Sequence, residues 1–254
     1  MKKLRQILFF LLKKILAKNQ YQRILFYYHK KKQRKIYKNL SLEGIFSKIY
    51  KNNLWDDKSL NNNNSFFSGA GSHKKQIVEP YIEIITKFLK KQNKPIIIDA
   101  GCGDFNIGIN FVKFSDKYYA FDIVENLIKH NKEKFNFDNL FFEKKDITVD
   151  ILPSGDILFL RQVLQHLNNS SILKFLKNIR GKFKFLIVTE HVPYNNYKKN
   201  LDRISGGFLG NYSGIYLEEE PFNMSYLSKE ELLSIPVSKK LEDGLIKTIL
   251  YNID

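Results

Sequence analysis

Two glycines and two acids, in a fixed order along the chain, could together bind a nucleoside. Gly101 and Gly103 follow a short apolar run, and their lack of a Cβ lets the backbone turn sharply and approach a ligand closely. Asp122 ends the next apolar run, 23 residues after Asp99, where a carboxylate can accept ribose hydroxyl protons. Asp146 ends a third run and is placed to accept an adenine amino proton. This order of residues predicts an adenosine site.

The residues after the second glycine separate two classes of nucleotide ligand. A dinucleotide site needs a third glycine three positions on, which allows close packing beside the pyrophosphate. Here Asp104 follows Gly103 directly, and the next glycine, Gly108, lies five positions on. An acid at this place repels a pyrophosphate but can accept the α-ammonium group of a methionine-type ligand. The sequence therefore disfavours NAD and favours S-adenosylmethionine, with Ile147 against the face of the adenine ring.

Short apolar runs that alternate with amphipathic stretches begin near residue 93 and predict a parallel α/β sheet. We expect one helix over residues 124–135 and another that begins near Arg161. A ligand on such a sheet binds at the carboxyl ends of the strands, which is where the predicted adenosine-binding acids stand. The five predicted strands are residues 95–99, 118–122, 140–143, 156–160 and 185–188.

These segments resemble successive motifs of class I S-adenosylmethionine-dependent methyltransferases, and the resemblance covers residues 93–254. It implies a Rossmann-like fold, with a mostly parallel seven-stranded sheet, helices on both faces and a final antiparallel hairpin. We expect residues 241–243 and 245–251 to form that hairpin through a turn at Asp243-Gly244. The motifs that carry the resemblance are Ile98–Gly103, Asp122, Lys145–Ile147 and Asp156–Leu160.

The resemblance also implies which residues contact the cofactor. Most of them stand at strand ends, whereas Trp55 and the Ser68–Ser72 stretch precede the core and are expected to fold over the methionine moiety. The full set is Trp55, Ser68, Gly69, Asp99, Gly101, Gly103, Asp104, Asp122, Ile123, Asp146, Ile147 and Arg161.

Further segments are similar to a bacterial subgroup of these enzymes that is associated with surface-polysaccharide biosynthesis. This similarity implies O-methylation of a small or glycan-linked acceptor, such as a sugar or a phosphoryl or phosphoramidate precursor. The chain departs from the subgroup at Gln162, where an acid is common, and by an insertion at Asn61–Asn64. The similar segments are residues 45–55, 68–72, 104–106, 161–167 and 221–223.

Methyl transfer is an in-line displacement at a sulfonium carbon, so the enzyme supplies alignment, and a base when the acceptor is a hydroxyl. Arg161 follows the fourth strand and could hold an acidic acceptor, or form an ion pair with a neighbouring acid. His166 could act as the base or could be a packed or capping histidine. Glu190 and His191 follow the fifth strand and are alternative bases or polar loop residues. Residues 205–214 could form a lid over the acceptor.

The basic charge is concentrated at the amino terminus. Residues 1–51 carry 15 Lys or Arg and one acid, Glu43, a net charge of +14, whereas the remaining 203 residues have a net charge of only +2. This division predicts a basic helical arm over residues 1–51, a cap that covers the cofactor over 52–92, and a methyltransferase domain over 93–254. A basic arm attracts phosphates of lipid or RNA, but the nearly neutral body disfavours nucleic acid as the substrate.

Apolar residues recur at helical spacing in the arm, from Leu4 to Leu16, among lysines and arginines. The longest apolar run, Ile7–Leu12, is six residues, far below the roughly 20 that a membrane span needs. Such a segment either lies in a membrane interface, with residues 1–35 making the contact, or packs on the body as a helical hairpin. Other hypotheses are an RNA methyltransferase that uses the arm as a clamp and a non-catalytic membrane-associated scaffold.

The remaining composition places the protein in the cytoplasm, with contact to the inner face of the cell membrane as a further expectation. The single cysteine, Cys102, excludes an internal disulfide. No two of the five histidines stand at metal-ligand spacing, so we expect no metal site.

Overall fold

The computed structural model of the protein describes residues 2–55, 66–194, 198–206, 213–237 and 243–253. The Asn61–Asn64 insertion, most of the predicted lid at 205–214 and residues 241–242 lie outside these ranges. The side chains of residues 2–5, 18, 19 and 22 are also outside the description.

The core is one seven-stranded sheet in the order β3-β2-β1-β4-β5-β7-β6. Strands β1 to β5 run parallel, and β7 is antiparallel to both β5 and β6. The predicted mostly parallel sheet with a final antiparallel hairpin is thereby confirmed. The strands are β1 Ile96–Ala100, β2 Lys117–Asp122, β3 Leu140–Lys144, β4 Gly155–Arg161, β5 Phe183–Pro193, β6 Ser228–Val237 and β7 Gly244–Asn252.

Helices cover both faces of this sheet because neighbouring strand residues point to opposite sides. On one face, Ile97 and Phe159 pack against Ile85 of helix α4 and Ile128 of helix α5. On the other face, a second apolar cluster holds strand residues together with Phe175 of helix α6. The helices of the body are α4 Lys75–Leu89, α5 Glu125–Lys134 and α6 Asn169–Ile179.

The arm forms three helices, α1 Lys2–Ile15, α2 Lys18–Tyr37 and α3 Leu42–Lys51. Helix α3 packs on the body through its buried residues Ile45, Ile49 and Tyr50. Within the described part of the chain, no helix combines the length and the apolar character that a membrane span requires.

The predicted helix beginning near Arg161 is wrong. Arg161 is the last residue of β4, Gln162 has a left-handed backbone with φ of 56°, and a short 3-10 turn follows at Leu164–His166. Helix α6 begins only at Asn169, where the Asn168 side chain caps it by accepting a hydrogen bond from the N–H of Ser171 at 2.8 Å.

Strand β5 is longer than predicted, so Glu190 and His191 are strand residues and not loop residues. They pair with Lys247 and Ile246 of β7. Pairing with β7, which is distant in the chain, extends β5 beyond residue 188. The residues after 188 do not indicate this extension by themselves.

The predicted turn at Asp243-Gly244 is also wrong, although a hairpin is present. Gly244 is the first residue of β7, where it pairs with both Val237 and Pro193. A Cβ at Gly244 would lie 2.4 Å from the carbonyl oxygen of Val192, so the glycine permits close approach of β7 to β5. The first strand of the hairpin is β6, whereas residue 241, from which the prediction began, lies outside the described residues.

Candidate active site

A cavity of about 980 Å³ opens at the carboxyl ends of the parallel strands. Helix α3 forms one wall through Phe46 and Tyr50, and residues 66–74, here named the cover segment, form another. The β6–β7 hairpin contributes Pro236 and Ile246 to the far side. This volume lies at the upper end of the range for small-molecule sites.

Most of the predicted site residues meet in this cavity, but Asp104 and Glu190 are not among its lining residues. The predicted residues that line it are Trp55, Ser68, Gly69, Asp99, Gly101, Gly103, Asp122, Ile123, Asp146, Ile147, Arg161, His166 and His191.

Both predicted glycines have left-handed backbones, with φ of 87° at Gly101 and 57° at Gly103. A Cβ at Gly101 would stand 2.4 Å from a methyl group of Val163, and one at Gly103 would stand 2.4 Å from the hydroxyl of Ser68. Conformation and packing therefore both require glycine here.

Asp122 ends β2 and shapes the glycine loop with its carboxylate. It accepts the N–H of Gly103 at 3.2 Å and the N–H of Val124 at 3.0 Å. Burial raises the pKa of Asp122 to about 6, although these N–H groups lower it. A carboxylate has about four acceptor positions, which leaves capacity for a ribose hydroxyl on the cavity side.

Asp99 is the next-to-last residue of β1, and Asp146 follows β3 by two residues, so the two acids lie on either side of Asp122. Asp99 accepts the hydroxyl proton of Tyr118 at 3.0 Å, and burial raises the pKa of Asp99 to about 7. One oxygen of Asp146 accepts both the N–H and the hydroxyl of Thr148, at 2.9 and 2.7 Å. Buried Ile147 lies next to it in the lining.

Asp104 holds the cover segment instead of lining the cavity. Its carboxylate accepts the N–H of Ser68 at 3.0 Å and pairs with Nε2 of His73 at 2.6 Å. In return, the N–H of Asp104 donates to the Ser68 hydroxyl at 2.8 Å, which also bonds to the hydroxyl of Tyr50 at 3.1 Å. Asn106 adds a bond from its side-chain amide to the carbonyl of Ser72 at 2.7 Å.

Arg161 fastens the same segment from the β4 side. Its guanidinium donates to the carbonyl of Gly71 at 2.6 Å and to the Ser72 hydroxyl at 3.2 Å, and it stacks on the ring of Tyr81 at 4.8 Å. Burial lowers the pKa of Arg161. An ion pair with a neighbouring acid, the sequence-based alternative to acceptor binding, is not found among the described residues. In the described structure, Arg161 positions the cover segment.

Glu190 organises the loop after β4. Its carboxylate accepts the N–H groups of Val163, Leu164 and Gln165, at 3.1, 2.8 and 3.1 Å. Burial raises the pKa of Glu190 to about 8, while the N–H groups and Arg203 act against this rise. With both oxygens engaged in backbone bonds, Glu190 is a structural residue of this loop.

His166 is a neutral, packed histidine at the cavity wall. Burial lowers the pKa of His166 to about 4, and its Nδ1 lies 3.1 Å from the carbonyl oxygen of Gly206. Its ring packs 5.0 Å from the ring of Trp55. His166 thus supports Trp55 and stays uncharged at neutral pH.

His191 lines the cavity on the β5 side. Its backbone N–H donates to the side-chain oxygen of Gln165 at 3.1 Å, and the amide of Gln165 reaches Nε2 of His166 at 3.4 Å. Sequence reasoning missed Gln165, together with Tyr50 and His73. Tyr50 and Gln165 lie in segments that are similar to the bacterial subgroup, but their contacts with Ser68 and His191, like that of His73 with Asp104, join residues far apart in the chain.

Comparison with known proteins gives structural likeness only, since neither a protein-family model nor a curated protein matches the chain. The N-methyltransferase NodS from Bradyrhizobium japonicum WM9, solved with S-adenosyl-L-homocysteine, superposes with a TM-score of 0.54 at 10% identity, covering 82% of this chain and 98% of NodS. The methyltransferase domain of bacterial CtHen1-CN superposes with a TM-score of 0.51 at 14% identity, covering 68% of this chain and 98% of that domain. The chain has the class I methyltransferase fold.

Replacing Gly103 by Ala is expected to loosen the cover segment of this methyltransferase fold, because the new Cβ displaces the Ser68 hydroxyl. The matched control is Gly181→Ala, since Gly181 also has a positive φ of 67° but a Cβ there would meet nothing within 4 Å. Both variants lose about 1–2 kcal/mol of stability from backbone strain. Only Gly103→Ala should also shift the fluorescence of Trp55, the single tryptophan. Equal spectra for the two variants would contradict the role of Gly103 in seating the cover segment.

The raised pKa of Asp99 makes the stability of the ligand-free protein depend on pH. The folded chain holds this proton up to about pH 7, whereas an unfolded aspartate releases it near 3.8. The stabilisation by the protonated form is therefore lost as the pH rises through this window. Asp99→Asn removes this titration. As the pH rises from about 4 to 7, the free energy of unfolding of the variant should therefore increase relative to that of wild type by a few kcal/mol, at about 1.4 kcal/mol per pKa unit. Urea denaturation at several pH values measures it, and parallel pH curves for both proteins would contradict it.

Proposed function

We propose that the protein is an S-adenosylmethionine-dependent methyltransferase. The observation that carries this proposal is the row of acids Asp99, Asp122 and Asp146 at the ends of adjacent strands, facing one cavity beside a glycine loop. In this proposal residues 93–254 are the catalytic domain, residues 52–92 cover the cofactor and residues 1–51 are the arm.

The donor and acceptor groups of the cavity fit the proposed cofactor. Asp122 has acceptor capacity for a ribose hydroxyl, and Ile123 and Ile147 supply apolar surface for adenine. Asp99 stands at the glycine loop, where a buried carboxylate is suited to the ammonium group of the methionine moiety. S-adenosylmethionine, when bound, supplies an electrophilic methyl group on a sulfonium.

The β4 to β7 side of the cavity, here named the acceptor half, favours an anionic methyl acceptor. Among the described residues that line the cavity, the carboxylates Asp99, Asp122 and Asp146 all belong to the β1–β2–β3 side of the sheet. The described lining groups on the β4 to β7 side are neutral or basic, with Arg161 at the end of β4, and Lys74 of the cover segment and Lys145 after β3 are further lining cations. This charge division favours an acceptor with a phosphate or carboxylate, in agreement with a sugar or phosphoryl precursor of a surface polysaccharide.

For O-methylation, His191 is the proposed base. It lines the cavity on the β5 side. His166 also lines the cavity, but burial lowers its pKa to about 4, which makes it a weak base, and both oxygens of Glu190 accept backbone N–H groups. An imidazole at this place would take the proton of the acceptor hydroxyl, while bound S-adenosylmethionine would supply the methyl group and leave as S-adenosylhomocysteine when its methyl–sulfur bond breaks. We place the reaction in the cytoplasm.

Loss of the Asp122 carboxylate should weaken cofactor binding, both by removing a ribose acceptor and by loosening the glycine loop, because an asparagine –NH2 would face one of the two N–H groups that Asp122 accepts. Asp122→Asn keeps the size of the side chain but removes charge-assisted acceptance, which is worth about 1.5–3 kcal/mol, or about a tenfold to hundredfold loss of affinity. Titration calorimetry with S-adenosylhomocysteine measures it. The matched control is Asp116→Asn, an exposed acid before β2, which should bind like wild type. No binding to wild-type protein would overturn the proposed function.

Lys74→Met should raise the KM for an anionic acceptor about tenfold or more, because it removes a positive charge from the cavity lining, while kcat changes little. A methyl-transfer screen with radiolabelled cofactor, comparing sugar phosphates and nucleotide-activated sugars with neutral sugars, identifies the acceptor to be used. Lys113→Met serves as the control, since Lys113 is exposed and outside the cavity lining. A preference for neutral sugars, or equal KM values for both variants, would contradict the anionic acceptor.

A further inference from the structure

The first two helices of the arm are held in different ways. Helix α2 packs against α3 and the body through Tyr37, which is buried in a cluster with Ile45, Ile49 and Ile204. The ammonium group of Lys30 also donates to the backbone carbonyl of Asp202 at 2.6 Å and lies 3.3 Å from its carboxylate. Helix α1 instead contacts α2, with the ring of Phe9 4.9 Å from that of Tyr28. The arm is thus docked on the body through α2, with α1 outside it.

Helix α1 turns an apolar stripe toward solvent. Ile7, Leu8, Leu11 and Ile15, here named the α1 stripe, have exposed fractions between 47% and 76%. Positions 7, 8, 11 and 15 share one side of a helix, and Phe9, which packs on Tyr28, lies outside this stripe. The helix therefore exposes its aliphatic side and uses an aromatic residue to hold α2.

The surface around the stripe is strongly basic. Lys13 and Lys14 are exposed on α1, and neither α1 nor α2 contains an acid, since the first acid of the chain is Glu43. On α2 the exposed basic residues are Arg23, Lys31, Lys32, Arg34 and Lys35. An exposed aliphatic stripe beside a dense positive charge is the combination that binds the interface of an anionic bilayer.

We propose that α1 lies in the interface of an anionic lipid bilayer, with the α1 stripe at the boundary of the acyl chains and the lysines of α1 and α2 at the lipid phosphates. The residue types of the arm leave two alternatives, contact with a membrane and packing on the body. In the folded chain α2 packs on the body, and in this proposal α1 contacts the membrane. The proposal is independent of methyl transfer, since it rests on residues outside the cavity lining.

Charge and apolar character together favour a bilayer over other partners of the α1 stripe. A second copy of the chain would bring two arms of +14 each against one another, which is repulsive. RNA would satisfy the lysines but offers no apolar phase for exposed leucine and isoleucine side chains. Only an anionic bilayer complements both features of the surface.

The test is flotation of the full chain with vesicles of phosphatidylcholine, with or without a quarter of phosphatidylglycerol, at about 0.1 M salt, where the Debye length is about 10 Å. The variant Leu8→Gln/Leu11→Gln changes the stripe but not the charge and should lower the partition coefficient at least tenfold. The matched control, Ile151→Gln/Leu227→Gln, changes two apolar residues of the body that are 82% and 72% exposed and should float like wild type.

The charge is tested separately by Lys31→Gln/Lys32→Gln, which should weaken binding to anionic vesicles, as should higher salt. Equal flotation of the stripe variant and wild type would overturn the proposal, as would binding that does not depend on phosphatidylglycerol. Self-association in solution, or binding of single-stranded RNA, that is lost in the stripe variant would also overturn it. Since binding of S-adenosylhomocysteine is measured on the same proteins, failure here and failure of the proposed function are distinguishable.

Discussion

Hydrogen bonds from backbone N–H groups to buried carboxylates hold the loops around the cavity. Asp122 fixes the glycine loop, Asp104 fixes the cover segment and Glu190 fixes the turn after β4. Loops at strand ends leave N–H groups without partners in the sheet, and leaving such groups buried and unpaired is costly. Carboxylates from neighbouring strands and loops accept these N–H groups. The space between the loops is thereby left open for a ligand.

The same bonds link the arm to the cavity. Tyr50 of α3 bonds to the hydroxyl of Ser68 in the cover segment and packs 5.2 Å from Trp55. Trp55 in turn packs on His166. An aromatic wall therefore continues from the arm to the end of β4, and α3 belongs to the cavity as much as the sheet does. By contrast, no described side chain of α1 lines the cavity, and the α1 stripe is exposed.

Charge is distributed so that each region has a distinct chemistry. The β1–β2–β3 side of the cavity holds the lining carboxylates, which suit hydroxyl and ammonium groups. The described lining residues of the other side are neutral or basic, and the described exposed side chains of α1 and α2 include no acid. Because the body is nearly neutral as a whole, the arm dominates attraction at long range, whereas the cavity selects its ligands by local groups.

The local sequence determined the first four strands to within one residue at each end and the order of Gly101, Gly103, Asp122 and Asp146, because turn glycines and apolar runs have short-range signals. It did not determine which acids face the cavity. Asp104 and Glu190 were expected to contact ligands, yet they accept backbone N–H groups of other segments.

Only the tertiary structure decided those roles, along with the length of β5, the position of the final hairpin and the exposure of the α1 stripe. Each depends on partners far apart in the chain, such as Glu190 with Leu164 or β5 with β7. A residue type limits the bonds that a side chain can form, and the fold alone determines which partner comes within hydrogen-bonding distance.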